Sequence, residues 1–204
     1  IKASRHDWLV FTEPNCRPIS NQWLRKIARN FTPHTDIVLG YSNYEKTTGW
    51  LNRKMTFDTL LNAMRWLGRA IDGYPYTGCG RNLAYRKSLY YQQKGFTSHL
   101  NLQRGEDDLF VNQTANEKNT RVEVSPESIM RITAPHYKKD WCEDKLSYTM
   151  TSRLYKGLSR YLMGFETCTR LFFYVTIFLC IVYGVILQSW LTVGCGILLG
   201  LLRF

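Results

Sequence analysis

The sequence predicts an α/β domain followed by a helical membrane anchor, and three observations carry that prediction. Short apolar runs bounded by turn residues alternate with stretches of helical periodicity over the first part of the chain. No charged residue occurs from Leu171 to Leu202, and every acidic residue lies at or before Glu166. The 204 residues are long enough for one domain with a real core plus an anchor.

The elements follow in order. Trp8 to Phe11 is a run of four apolar residues, suited to the inside of a mostly parallel sheet. It leads into Thr12-Glu13-Pro14-Asn15-Cys16-Arg17-Pro18, a turn by its prolines. Ser20 or Asn21 can cap the helix that follows, where Trp23, Leu24, Ile27, Ala28 and Phe31 recur at helical spacing. Asp36-Ile37-Val38-Leu39-Gly40 is a second strand, completing a strand, acidic turn, helix and strand. Residues 41–53 form a polar loop. Thr56 to about Ile71 is helical, with Leu60, Leu61, Met64, Leu67 and Ile71 on one face. Asn82 to Tyr85 is a short strand, and a helix from Arg86 ends near Gly95. Leu109 to about Glu117 is helical, and Val122-Glu123-Val124 alternates as a strand.

Met150, Leu154, Leu158, Tyr161, Leu162 and Phe165 recur three or four apart, with Arg153, Lys156 and Arg160 between them. This predicts a basic amphipathic helix from Tyr148 to Phe165 of the kind that lies on a membrane interface; an ordinary surface helix is the bland alternative. Leu171 to Leu187 is long enough for one span, and Gln188-Ser189-Trp190 interrupts the apolar tail. Leu191 to Leu202 either completes one tilted helix or begins a second. The basic residues on the near side, Arg153, Lys156, Arg160 and Arg170, predict a cytoplasmic domain in an integral membrane protein.

The formal charge of +11 fits nucleic acid, an anionic membrane surface or a phosphorylated ligand; a solvated basic face needs none of them. The tail favours the membrane. Nucleic acid is not an expected partner, because the aromatic residues are not interleaved with the basic ones as a stacking platform requires. Six scattered cysteines without a Cys-x-x-Cys pair speak against zinc and fit reduced thiols. Two Asn-x-Thr tripeptides, at Asn30 and Asn112, are frequent by chance. The chain opens almost at once on a strand, which suggests that further sequence precedes it.

Three clusters can carry chemistry. Glu106-Asp107-Asp108 follows Gly105, and carboxylates favour a helix start. Clustered carboxylates also raise one another's pKa, so that one can accept a proton from an attacking hydroxyl. Glu13-Pro14-Asn15 lies just past a strand end, where open α/β sheets bind ligands, and offers oxygen ligands for Mg²⁺ or Mn²⁺; it is also common turn chemistry. Gly78-Cys79-Gly80-Arg81-Asn82 is either a close approach to a ligand or a tight turn.

In this order the segments resemble the family 2 glycosyltransferases. Residues Thr12 to Pro18 look like that family's T-D-A-D-C-x-P segment, and Gly78 to Lys87 like its G-x-G-x-N-x-A-x-R segment. Gly105-Glu106-Asp107-Asp108 looks like its E-D motif, and Trp141 with Lys145 resembles the tryptophan-plus-basic segment that follows. The resemblance implies a partial GT-A fold, a Rossmann-like mixed sheet with flanking helices. It implies inverting transfer from a nucleotide-sugar to a glycan or lipid-linked acceptor, in envelope polysaccharide or glycolipid synthesis at a bacterial inner membrane. By position, Asp107 is the base, with Asp108 the second choice. Glu13 and Asn15 take the metal places. Glu106, Arg81, Asn82 and Lys145 line the substrate region, and Trp141 stacks on the acceptor sugar. The implied organisation is the carboxy-terminal part of the catalytic domain over residues 1–140, the Trp/Lys segment and interface helix over 141–170, and a transmembrane region over 171–204. The chain departs from the pattern in two places. Asn15 offers a neutral oxygen where the family has an aspartate, and the usual Gln and arginine run are absent after Trp141. These departures leave a second expectation open, a non-catalytic relative serving as a membrane-bound partner or scaffold.

Overall fold

The computed structural model describes residues 1–93, 95, 105–135 and 137–202; the side chains of Leu162, Met163, Glu166, Thr167 and Leu202 also lie outside the described set. The chain forms two compact units, Ile1–Lys156 and Gly157–Phe204.

The first unit is mixed α/β. Its strands are β1 (Trp8–Phe11), β2 (Cys16–Pro18), β3 (Ile37–Gly40), β4 (Ser42–Tyr44), β5 (Leu83–Arg86), β6 (Thr120–Glu123) and β7 (Met130–Ile132). Its helices are α1 (Trp23–Ala28), α2 (Trp50–Ile71), α3 (Lys87–Gln92), α4 (Asp108–Thr114) and α5 (Lys138–Ser152). One four-stranded sheet runs β1-β5-β3-β6, and a three-stranded sheet runs β2-β7-β4. Both are mixed. β5 is antiparallel to β1 and β3 while β3 and β6 are parallel; β7 is antiparallel to β2 and parallel to β4.

Strand pleating explains how the larger sheet is covered on both faces. Leu9, Ile37, Leu39, Leu83 and Tyr85 point to one side, against Ala63, Leu67 and Ala70 of α2 and Phe110 and Val111 of α4. The alternate residues Val38 and Ala84 point to the other, against Ile27 of α1, and Trp8 and Val10 join them there. Trp8 stacks on Phe31 with ring centroids 3.9 Å apart. A third cluster of Tyr44, Met55, Ile132 and Trp141 holds the smaller sheet to α2 and α5.

Several expectations are corrected. The strand Trp8–Phe11 pairs antiparallel at a sheet edge instead of lying inside a parallel sheet. The proline-bounded turn contains β2, because Pro18 ends a strand on the outer edge of its sheet, where a missing N–H is tolerated. The polar loop 41–53 contains β4 and the start of α2, and the strand β7 carried no expectation at all. Leu67 alone of the predicted apolar face of α2 is buried; Leu60, Leu61, Met64 and Ile71 are exposed. The small residues Ala63 and Ala70, with Met55, form the packed side instead.

The predicted helix Tyr148 to Phe165 is two helices. α5 ends at Ser152, and α6 (Leu158–Ile186) begins after Gly157, whose φ of 71° suits glycine and interrupts the helix. Met150, Leu154, Leu158, Tyr161 and Phe165 are nonetheless all exposed, while the side chain of Leu162 is outside the described set.

The second unit is a helical hairpin of α6 and α7 (Trp190–Leu202). Cys168–Ile186 is 19 residues long with mean hydropathy 2.0, long and apolar enough to cross a membrane. α7 is the shorter apolar helix. Gly184 and Gly196 permit the hairpin's close packing, since a Cβ on either would come within 2.9 Å of a side-chain carbon on the facing helix.

Candidate functional site

Register brings the predicted clusters together. Phe11 and Leu39 both pair with Leu83, so the ends of β1 and β3 meet the start of β5. Glu13 just past β1 therefore faces the glycine loop that feeds β5. That loop ends in a 3₁₀ turn, Gly80–Asn82.

Asn82 locks the loop down. Its amide nitrogen donates to the carbonyls of Tyr41 (2.8 Å) and Ser128 (2.9 Å), and its oxygen accepts from the Trp23 indole (3.0 Å). A Cβ on Gly40 would collide with the Asn82 side-chain amide, so glycine makes room for it. Asn82 is thus a structural clamp, 1% exposed, and does not line an open substrate region as expected from its position.

The acidic run divides into three environments. Glu106 is exposed. Asp107 is 7% exposed and caps α4. Its Oδ1 accepts from the Asp108 amide (2.7 Å), and its Oδ2 accepts from the Gly80 amide (2.8 Å) and the Tyr148 hydroxyl (3.3 Å). Burial pushes its pKa upward, the Gly80 and Asp108 amides oppose this, and Glu106 adds to it. Asp108 is enclosed. Its Oδ2 accepts from Thr151 Oγ1 and from the Tyr155 hydroxyl (3.1 Å), which also contacts Thr77 Oγ1 at 2.9 Å. Its Oδ1 accepts from the Leu109 amide at 2.8 Å. Burial raises its pKa as well, against the pull of Thr151. This second-choice base is committed to tying α4 to α5 and the segment after it.

Arg81 lies between two carboxylates. Its Nε donates to Glu13 Oε2 (3.0 Å), and a terminal nitrogen donates to Asp144 Oδ2 (2.6 Å). Burial works against the charge, but the adjoining Glu13 and Asp144 carboxylates raise the guanidinium pKa. Burial pushes the Cys79 thiol up to about 11 and the Tyr148 hydroxyl higher still, so both are neutral at pH 7.

The expected metal pair does not fit a resident cation. Glu13 is spent on Arg81, whereas Asn15 is exposed and its Oδ1 accepts from the Cys16 thiol at 3.5 Å. Among the described residues no group of three or more His, Cys, Asp or Glu could hold a metal ion. Trp141 is also corrected. It is 6% exposed within the third core cluster, with the Lys145 ammonium 4.9 Å from its ring centroid. It offers no open face to an acceptor sugar. Lys145 is drawn outward to both oxygens of Asp58 at 2.8 Å.

Asp144, Tyr148, Thr151 and Tyr155 were not anticipated. Their spacing of four, three and four residues puts the first three on one face of α5, which is the signal a search for polar helical periodicity would have found.

The arrangement is therefore a nearly buried carboxylate on a glycine-loop amide, beside an arginine paired with two acids. Comparison with protein-family models finds no match, and comparison with curated proteins finds none either.

Proposed function

We propose that the chain is part of an inverting glycosyltransferase of the family 2 type, with GT-A architecture, acting at a membrane. One observation carries this reading. Asp107 has its pKa raised by burial and sits between the glycine loop and α5. A carboxylate with a raised pKa is a better proton acceptor near neutral pH. In the proposed reaction an acceptor hydroxyl attacks the anomeric carbon of a nucleotide-sugar. Its proton passes to Asp107, the bond from the anomeric carbon to the diphosphate oxygen breaks, and the nucleoside diphosphate leaves. The Gly80 amide and Tyr148 hydroxyl hold Oδ2 in place, while Oδ1 accepts from the Asp108 amide. The ordered likeness of the Glu13, Gly78 and Gly105 segments to that family supports the same assignment. A Mg²⁺ or Mn²⁺ ion would screen the diphosphate charge, but the local donors do not fit one, and the scheme uses no metal step. The acceptor is a glycan or lipid-linked sugar, and the long apolar helix Cys168–Ile186 supports a membrane location.

The test is Asp107→Asn, assayed with a panel of nucleotide-sugars and membrane acceptors with and without Mn²⁺. Loss of about 100-fold or more in turnover with an unchanged circular dichroism spectrum is expected. Unchanged turnover would rule out Asp107 as the base.

A second reading, a non-catalytic membrane partner or scaffold, rests on Arg81. Its pairing with Glu13 and Asp144 leaves it poorly placed to meet a diphosphate. Calorimetric titration with nucleotide-sugars and Mn²⁺ separates the two, since saturable, metal-dependent binding counts against the scaffold.

A further inference from the structure

α2 is amphipathic in an unusual sense, because both sides of it are apolar. The inner side is packed: Met55, Ala63, Leu67 and Ala70 are buried. On the outer side Trp50, Phe57, Met64 and Ile71 follow one another seven residues apart, two helical turns each time, and so form one stripe. They are 77%, 61%, 64% and 64% exposed. Leu60 and Leu61 widen the stripe and are exposed as well. Such a run of large apolar side chains along one helix exceeds the scattered exposure normal for a soluble surface.

Charge identifies the occupant. Arg53, Lys54 and Arg65 are exposed and lie along the stripe. Asp58 is the sole acid in α2, and Lys145 neutralises it at 2.8 Å. An apolar stripe with Trp, Phe and Leu, edged by Arg and Lys, is the pattern of a helix lying in a bilayer interface. Long basic side chains there reach up to anionic headgroups while their stems stay on the apolar surface. A second copy of this helix would bring two basic edges together, and like charges oppose that pairing. We propose that the outer face of α2 docks on an anionic lipid surface, its apolar stripe in the acyl boundary and Arg53 and Lys54 on the headgroups. The inference does not depend on the catalytic reading. It makes the first unit a peripheral membrane element in its own right, in addition to any anchoring by α6.

The experiment places the photocrosslinking amino acid p-benzoylphenylalanine at Phe57, at Met64 and, as a control, at the exposed loop residue Lys118. All three sites are on the surface, so folding is preserved. The full chain is reconstituted in nanodiscs of phosphatidylcholine alone or with phosphatidylglycerol, irradiated and analysed by intact mass. Lipid adducts are expected at 57 and 64 and not at 118, and in greater yield with phosphatidylglycerol. Arg53→Glu together with Lys54→Glu should lower the yield at 57 by about 10-fold in the anionic discs, because each basic residue near such a surface adds to its attraction. Adduct yields at 57 and 64 no higher than at 118 would overturn the proposal. So would crosslinked dimers, or crosslinks to residues within the same chain, since either would assign the face to protein.

Discussion

Replacing Glu123 by Gln should be among the most damaging isosteric changes in the first unit. The carboxylate ends β6 with its side chain 1% exposed. Its Oε2 accepts from Arg29 Nε (2.8 Å) and Asn30 Nδ2 (2.8 Å). Its Oε1 accepts from an Arg29 terminal nitrogen (3.2 Å), the Ser125 amide (2.9 Å) and the Ser125 hydroxyl (2.6 Å). A glutamine has one oxygen and one NH₂, so whichever way it turns at least two donors face a donor. Hydrogen bonds to a charged group contribute about 1.5–3 kcal/mol each. Arg29 is 56% exposed and can turn to water, which softens the loss. The expected cost is therefore about 2–4 kcal/mol. The pH dependence has a definite sign. Burial alone would raise the Glu123 pKa, but the bonds from Ser125, Asn30 and Arg29 outweigh it and hold it below the usual carboxylate value. A depressed folded-state pKa stabilises above the unfolded value, about 4.3, and that stability is lost as pH falls through the folded pKa. Urea unfolding of parent and variant in mild detergent, followed by near-ultraviolet circular dichroism, should show a full difference at pH 7 that shrinks below about pH 4. A difference under about 0.5 kcal/mol at pH 7, or one unchanged down to pH 3, would refute the assignment of this stability to the charge.

Two further predictions concern the site's frame, beside the loss of turnover expected for Asp107→Asn and the lipid adducts expected on α2. Gly40→Ala should cost about 1–3 kcal/mol, because its Cβ would overlap Asn82 and displace the clamp on the glycine loop; the same urea titration measures it, and parental stability would show that Asn82 moves freely. Cys79 should resist maleimide at pH 7.5 in the folded protein, with its thiol held up to about 11, while exposed Cys142 reacts promptly. Mass-resolved labelling over time checks this, and equal rates at the two thiols would mean that the loop opens readily.

How far the fold was legible depended on how many residues each element could bring to the argument. Trp8–Phe11 and Ile37–Gly40 are continuous apolar runs and were found by pattern alone. β4 is Ser-Asn-Tyr and β7 is Met-Arg-Ile, three residues each, and neither shows a period on its own. Their strand character comes from pairing with each other, a contact of high sequence separation. The antiparallel edge position of β1 was hidden for a similar reason. A short apolar run does not say which neighbour it has, and here β5, about 75 residues on, is the partner. α2 failed differently. Its period was visible, but the larger apolar residues lie outside and alanines lie inside, so size misdirected the choice of face.

The site shows the same division between local chemistry and long-range packing. The acidic run and the glycine loop could be singled out by residue type, because chemistry of this kind needs those side chains wherever they sit. Their union is a matter of register: the Gly80 amide reaches Asp107 across 27 positions. What residue type could not foretell was partnership. Glu13 looks like a metal ligand until Arg81 is placed on it, and Trp141 looks like a sugar platform until Tyr44, Met55 and Ile132 close around it. Asp107 and Asp108 are adjacent and chemically identical, yet one is held by two backbone amides and the Tyr148 hydroxyl at the edge of the loop while the other is enclosed by Thr151 and Tyr155. That difference separates them as candidates for the proposed base. A proton acceptor must exchange its proton with an incoming group, and an enclosed carboxylate whose Oδ2 takes two hydroxyls must first give up the bonds that hold α5. A proton taken up by Asp107 leaves those two bonds intact, which is why the proposed transfer reaction is tested at the first of the two aspartates.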